Sequence, residues 1–375
     1  MRHRNTWAVV NLQNARQNFR EIRKKVGTQI KIMAIVKANA YGHGFPMVQA
    51  LVSEGADILG VAFVEEALAL RRQGLKDIPL FILGTTMVSE IAELVDNNLT
   101  PGVYQYEFAK ALSDYLSNLK QQRSTPYAIH IKIDTGMGRL GYMPQEAVEE
   151  ILKIAALPHI AIEGLYTHLA TADEADKTYT QLQIQRFQKV VEDLKEKGIN
   201  PPLVHIENSA GIIEFAKNLY TAVRPGIVLY GYYPSQEVHT ENLPILPVLS
   251  LYTTITHLKT IAPGDSLGYG RRYIAESSRK IATLPIGYSD GLSRILSGKG
   301  YQVKIGDEFA PIVGNICMDQ CMVDVTHLDK VAVGDRVEIF GEDYPADTMA
   351  QALGTIVYEV LCMVSARVPR QYIDA

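Results

Sequence analysis

Through the first 235 residues, short apolar runs alternate with longer amphipathic stretches, and this rhythm constrains the fold more than any single motif. Candidate strands cover 32–37, 57–63, 80–83, 100–103, 127–133, 161–166, 203–206 and 226–230, eight in all. Helical periodicity fills the gaps. It is plainest at 177–197, where Leu182, Phe187, Val190, Val191 and Leu194 share one face and Gly198 follows as a stop. Further helices are expected at 105–120 and at 145–156, the latter with Pro144 in its first turn. Eight strand–helix units in succession point to a closed parallel (β/α)8 barrel of the TIM type. A doubly wound open sheet has the same rhythm, and periodicity alone does not separate the two.

After about residue 236 the texture changes. Pro234, Pro244 and Pro247 mark a linker-like segment. β-branched runs then follow at 248–261, 280–286, 301–305, 309–313, 320–326 and 335–340, separated by turns such as Pro263-Gly264-Asp265 and Gly306-Asp307. Helical periodicity returns only at Asp347 to Leu353. This is the pattern of a mainly antiparallel β domain. The expected division is a barrel over 1–236 and a β domain over 237–375.

Composition excludes several functions. A net charge of -4 offers no electrostatic case for nucleic acid. No stretch approaches the roughly 20 apolar residues of a membrane span, and the start, Met1 to Trp7, lacks the long apolar core of a secretory signal. Cys317, Cys321 and Cys362 are too sparse for a disulfide framework. Cys317 and Cys321 find no further ligands nearby for a zinc pattern, so no metal is expected. A cytoplasmic location follows as the default.

Lys37 ends the apolar run Ile32 to Val36 with no acid beside it. Burial there disfavours the ammonium, and a neutral amine attacks aldehydes, as a Schiff base with pyridoxal 5'-phosphate (PLP) requires. The same placement also suits a lysine that snorkels to water. Other polar residues sit at the C-terminal ends of the expected strands, where barrels carry their chemistry. These are Lys132 and Asp134, Arg139 in a glycine-rich loop, Thr167-His168, Glu207-Asn208-Ser209 and Arg224. Each has a plainer reading: His168 as a satisfied histidine, Arg139 as a solvated charge, Ser209 as the cap of a helix beginning at Ala210. Their gathering on one face is harder to explain by accident. Ser209, with Gly226 and Ile227, suits a phosphate. Arg224 at a pyridine nitrogen would leave that nitrogen unprotonated, because arginine keeps its own protons. His168 would orient Arg224 from behind.

With these residues in place the chain resembles the alanine racemase family over nearly its whole length. The markers are Ala34-Ile-Val-Lys37-Ala-Asn-Ala-Tyr41-Gly-His-Gly44, Lys132-Ile-Asp-Thr-Gly-Met-Gly-Arg139, Gly164-Leu-Tyr-Thr-His168, Asn208-Ser209, Arg224-Pro-Gly226-Ile227, Ile286-Gly-Tyr288, Asn315-Ile-Cys317-Met318-Asp319 and Tyr358. The resemblance implies PLP on Lys37, which also serves as one catalytic base. It implies Tyr269 as the opposite base, supplied by the second subunit of a homodimer, although Leu267-Gly268 precedes this tyrosine where many relatives have a serine. Tyr273 is a conceivable competitor. Tyr41, Ser209, Gly226, Ile227 and Tyr358 would hold the phosphate, Asn208 would also bind the cofactor, and His168 and Arg224 would stand near Tyr269. Arg139 would meet the ring hydroxyl and the substrate carboxylate. Tyr288, Cys317, Met318 and Asp319 would line the entrance from the partner chain. Lys132 resembles the position that becomes an N6-carboxylysine, a modification that requires a neutral amine.

The implied activity is interconversion of L- and D-alanine by two bases, supplying D-alanine for peptidoglycan precursors. The alternatives are a broad-spectrum or serine-preferring racemase, a PLP decarboxylase of the same architecture, which generally places an acid where Arg224 stands, or a non-catalytic PLP-binding barrel, which would lack the β domain.

Overall fold

In the computed structural model, which describes residues 4–119 and 124–374, the apolar runs close into a parallel barrel. The last residue of the helix expected at 105–120 and the leading Met1 to His3 lie outside the described residues. The first strand of the chain, β1 (Thr6–Asn11), is not part of the barrel. The barrel strands are β2 (Lys31–Ile35), β3 (Ile58–Val61), β4 (Leu80–Ile82), β5 (Leu99–Val103), β6 (Tyr127–Lys132), β7 (Ile160–Tyr166), β8 (Leu203–His205) and β9 (Ala222–Val223). Strands β3 and β4 are buried at every residue, as expected where helices cover one face and the barrel interior the other. Closure comes from β9 pairing with β2, Lys31 opposite Ala222 and Ile32 opposite Val223.

The eighth strand differs from the expectation at 226–230. It is Ala222–Val223, and Ile227–Tyr230 forms a 3-10 turn. All four residues of that turn are fully buried, so their apolar character reports burial and not strand geometry.

The helix expected at 177–197 spans Thr178–Glu196 and buries Phe187, Val190 and Leu194. Leu182, assigned to the same face, is exposed. The inward position is taken by Gln183, whose side chain donates to the His168 carbonyl (3.0 Å) and accepts from Ala170 N–H (2.8 Å). This end of the helix buttresses the polar loops above the barrel. The helices at Tyr106–Ser117 and Pro144–Ala155 stand close to their expected places.

The remaining strands are β10 (Leu249–Thr254), β11 (His257–Ile261), β12 (Ser266–Leu267), β13 (Tyr273–Ile274), β14 (Arg279–Leu284), β15 (Gln302–Ile305), β16 (Glu308–Val313), β17 (Cys321–Asp324), β18 (Arg336–Phe340) and β19 (Arg370–Ile373). β12 and β13 form a small hairpin. The others build a nine-stranded sheet in the order β11-β14-β17-β16-β15-β18-β10-β1-β19. Its pairings are antiparallel except β1 with β19. β1 alternates buried and half-buried residues and takes up the register of β10, Thr6 opposite Thr253. The β domain therefore includes the chain's N-terminal strand, and a division at residue 236 does not separate the two units cleanly.

Candidate active site

Lys37 follows β2 at the mouth of the barrel. The next four residues, Ala38, Asn39, Ala40 and Tyr41, adopt φ of 52°, 55°, 52° and 51°. A left-handed turn of non-glycine residues costs about 1–2 kcal/mol per residue, so the surroundings must enforce it. They do so with hydrogen bonds. Glu66 accepts from Ala38 N–H (2.7 Å) and from Ala62 N–H (2.7 Å). Buried His43 places Nδ1 3.0 Å from the Ala40 carbonyl and 2.9 Å from that of Tyr41. Gly42 lies against the helix Val357–Met363, where a Cβ would come within 2.7 Å of the Leu361 carbonyl. The turn aims Lys37 and Tyr41 into one cavity and docks the helix that carries Tyr358. Burial lowers the pKa of Lys37, Arg139 lowers it further, and Glu66 opposes them.

That cavity, of about 680 Å³, opens at the C-terminal ends of the barrel strands. It is lined by Lys37, Tyr41, Lys132, Arg139, His168 and Arg224, and by Asn208, Ser209, Gly226, Ile227 and Tyr358. Its floor has the chemistry of an anion cradle. Ser209 does not cap the short helix Ser209–Glu214. Asn208 does, accepting from Gly211 N–H at 3.0 Å. Ser209 instead accepts from Gly226 N–H at 2.9 Å. A Cβ on Gly226 would sit 3.1 Å from the Tyr41 hydroxyl, so the absence of a side chain keeps the cradle open. Tyr41 stacks on Tyr230 with ring centres 4.6 Å apart, and Tyr230 is held by the Ile35 carbonyl (2.8 Å).

Arg224 is buried behind this floor. One terminal nitrogen donates to His205 Nδ1 (2.7 Å) and the His205 carbonyl (2.8 Å). The other donates to the carbonyls of Thr167 (2.6 Å) and Ile206 (3.2 Å) and lies 3.3 Å from His168 Nδ1. Of the two histidines, His205 rather than His168 therefore stands closer to Arg224. The sequence signal for it was weak, a histidine inside a three-residue strand. Among the described residues the hydrogen bonds of Arg224 run from its two terminal nitrogens and none runs from Nε. Burial pushes Arg224 down to about 10, still fully protonated at neutral pH.

Two further charges shape the cavity. Lys132, at the end of β6, is pushed down to about 8 by burial and by Arg139 and Arg224. Arg139 sits in a loop folded around Asp134, which accepts N–H bonds from Gly136 (2.9 Å), Gly138 (3.0 Å) and Arg139 itself (3.1 Å). Leu83, Met137, Asp173, Ile356 and Cys362 are also among the lining residues, and none of them was assigned a role from the sequence.

Tyr269, Tyr288, Met318 and Asp319 lie outside this cavity. Tyr269 stands 72% exposed between Gly268 (φ 66°) and Gly270 (φ 73°), its carbonyl tied to Asn315 Nδ2 (2.6 Å). The loops bearing the others are knit together by Tyr288 N–H to the Cys317 carbonyl (3.0 Å) and Ser289 N–H to the Met318 carbonyl (3.1 Å). Arg367 binds Asp319 (2.6 Å) and the buried Asp290 (3.0 Å). Tyr273 is engaged elsewhere, its hydroxyl donating to Asp324 at 3.2 Å.

Comparison with known proteins matches both parts of the chain. Residues 10–234 fit the family model of the alanine racemase N-terminal domain, and residues 248–372 fit that of its C-terminal domain. An alanine racemase of Desulforamulus reducens is 46% identical over 370 residues, 98% of each chain. The solved alanine racemase of Clostridium difficile superimposes with a TM-score of 0.93 at 40% identity, over 98% of this chain and 96% of that one. A Bartonella henselae alanine racemase, solved with covalently bound pyridoxal phosphate, superimposes with a TM-score of 0.88 at 28% identity, over 98% and 99% of the two chains.

Proposed function

The chain belongs to the alanine racemase family, and we propose that it interconverts L- and D-alanine with PLP held in the barrel cavity. The carrying observation is the pairing, in one cavity, of a lysine of depressed pKa with an arginine whose Nε–H is unengaged. The donor set fits the cofactor. The hydroxyls of Tyr41, Ser209 and Tyr358, with the backbone at Gly226 and Ile227, suit its phosphate, Asn208 fixes the segment bearing Ser209, and Lys37 suits its aldehyde. When bound, PLP draws electrons from the substrate α-carbon and makes its proton labile.

The residues of the chain then decide the outcome. Arg224 donates to the pyridine nitrogen and cannot protonate it, which limits electron withdrawal and favours return of the proton over transamination. Lys37 moves a proton on one face of the α-carbon. Tyr269 of the partner subunit moves one on the other face, with His168 beside it. Arg139 meets the substrate carboxylate, together with Met318 and Asp319 of the partner subunit, and Tyr288 of the partner subunit narrows the entrance. Lys132, pushed toward neutrality, is open to carbamylation, and the new carboxylate would pair with Arg139.

This reading requires a homodimer in which each β domain, within 237–375, completes the other barrel's site. The exposed Tyr269, Tyr288 and Met318, absent from the cavity of their own chain, support it. A dissociated monomer is expected to bind PLP without racemising. Among the described residues no helix is long and apolar enough to cross a membrane. A cytoplasmic enzyme that provides D-alanine for peptidoglycan precursors is the role proposed. The test is incubation of PLP-loaded protein with L-alanine in heavy water. Deuterium at the α-carbon together with loss of optical rotation is expected. Retained protium and rotation would refute the assignment.

A further inference from the structure

Behind Arg224 a polar chain runs across the barrel interior, where apolar packing is the rule. His205 Nδ1 receives the guanidinium at 2.7 Å, His205 Nε2 lies 2.9 Å from His130 Nδ1, and His130 Nε2 lies 3.5 Å from the Glu163 carboxylate. Arginine has donors only, so the direction of every link is set. His205 Nδ1 must accept, which places its proton on Nε2. His130 Nδ1 must then accept, which places its proton on Nε2, facing Glu163. Both imidazoles are buried, against Phe81 (ring centres 4.6 Å from His130) and Tyr166 (stacked 5.0 Å from His205). Burial lowers the pKa of each histidine, so both are neutral.

The backbone is adapted to this chain. Pairing of β6 with β7 shifts register between Ile129 and His130: Ile129 faces Ile162, but His130 faces Gly164. Glu163 is the extra residue, and such bulges re-aim side chains beside functional sites. Gly164 clears the space, since a Cβ there would lie 2.6 Å from His130 Cγ and Nδ1. The outer end is solvated, with the Glu163 side chain 42% exposed.

We propose that Glu163 is a remote positioning residue, whose carboxylate anchors the outer end of the His130–His205 pair at His130 Nε2–H and so holds the Arg224 guanidinium in its orientation toward the cofactor ring. The link to the cofactor rests on the proposed placement of Arg224 at the pyridine nitrogen. The relay itself does not. The test uses the full-length protein with ¹⁵N-labelled histidine, read first without PLP by long-range ¹H–¹⁵N NMR. Wild type is expected to show His130 and His205 as single Nε2–H tautomers. Glu163→Ala should keep these tautomers, which Arg224 sets, but shift and broaden the His130 Nε2–H signal as it loses its acceptor, while Glu163→Gln, which still offers an acceptor, should restore it. An Nδ1–H tautomer at His130 in wild type, or an unmoved His130 Nε2–H signal in Glu163→Ala, would overturn the proposal.

With PLP bound, Glu163→Ala should shift the cofactor absorbance and lower kcat about tenfold, the lower range for outer-shell hydrogen-bond partners, with KM for alanine unchanged. Glu163→Gln should recover most of both. The expected His130 signals with an unmoved cofactor spectrum would also overturn it. Failure of the wild-type protein to bind PLP would instead sink the proposed function and leave the tautomer result standing.

Discussion

The barrel mouth and the loops of the β domain carry functional residues in opposite ways. At the mouth, Lys132 and Arg224 are buried, Lys37 is half-buried, and hydrogen bonds hold the arginine and the backbone around both lysines before any ligand arrives. On the β domain, Tyr269, Tyr288 and Met318 are exposed, and no cavity of their own chain receives them. The first region is a preorganised site that stores cost in a left-handed turn and desolvated amines. The second, on the proposed dimer, would be half of a site, tied in its backbone and open at its side chains, as a surface is when its counterpart is another molecule.

The most severe test of this contrast is removal of its tethering amine. Lys37→Ala should lower racemisation at least ~10⁴-fold, the upper range for a positioned proton-transfer group, and abolish borohydride-stable attachment of PLP. Residual activity within tenfold of wild type would break the assignment. Tyr269→Phe should cost ~10²–10⁴-fold while leaving PLP attachment intact, with the loss unequal in the two directions of α-deuterium exchange. Equal loss in both directions would argue against bases on two faces. Mixing the two inactive variants under conditions of subunit exchange should regain about a quarter of wild-type activity, because half the dimers are mixed and each holds one intact site. No recovery would mean that both residues act within one chain.

Gentler changes sharpen the barrel side. Gly226→Ala would crowd the Tyr41 hydroxyl and should weaken PLP binding about 10–100-fold, as overpacking by one methyl typically does, measured by cofactor titration. The smallest effect is expected at Lys132. Its folded pKa of about 8 lies below the ordinary 10.5, so at pH 7 the fold bears the full cost of a buried ammonium. Lys132→Met should therefore stabilise the cofactor-free protein by ~1–3 kcal/mol at pH 7 in carbonate-free buffer. As pH rises from about 8 toward 10.5 the folded wild type sheds its proton first and gains stability, so the gap should close. Denaturant melts at pH 7 and pH 10 check this. A gap that is absent at pH 7, or that widens with pH, would contradict the depressed pKa.

Much of this was legible from residue order. The eight-fold rhythm marks a parallel α/β fold, because burial on both faces demands short continuous apolar strands. Lys37, Lys132, His168 and Asn208, which line the cavity, follow those strands closely, at positions that barrel geometry brings to one end. Legibility failed where burial and secondary structure part company. Ile227–Tyr230 is as apolar as a strand and is a 3-10 turn. Thr6–Asn11 is a strand whose partners lie some 240 and 360 residues onward, a pairing that no local pattern announces. His130, His205 and Gln183 gave no warning either, because an inward polar residue is recognised only by what it touches.

Sequence alone marked eight strand–helix units, a β-rich second half and Lys37 as the candidate anchor, since each depends on local periodicity or on residue type at a strand end, and the closure of the units into a barrel came with the pairing of β9 and β2. Tertiary structure decided which histidine grips Arg224, that Asn208 and not Ser209 caps its helix, and that Tyr269 stands exposed and outside the cavity of its own chain. Those outcomes turn on distances between segments far apart in the chain, and such distances exist only after the backbone has closed.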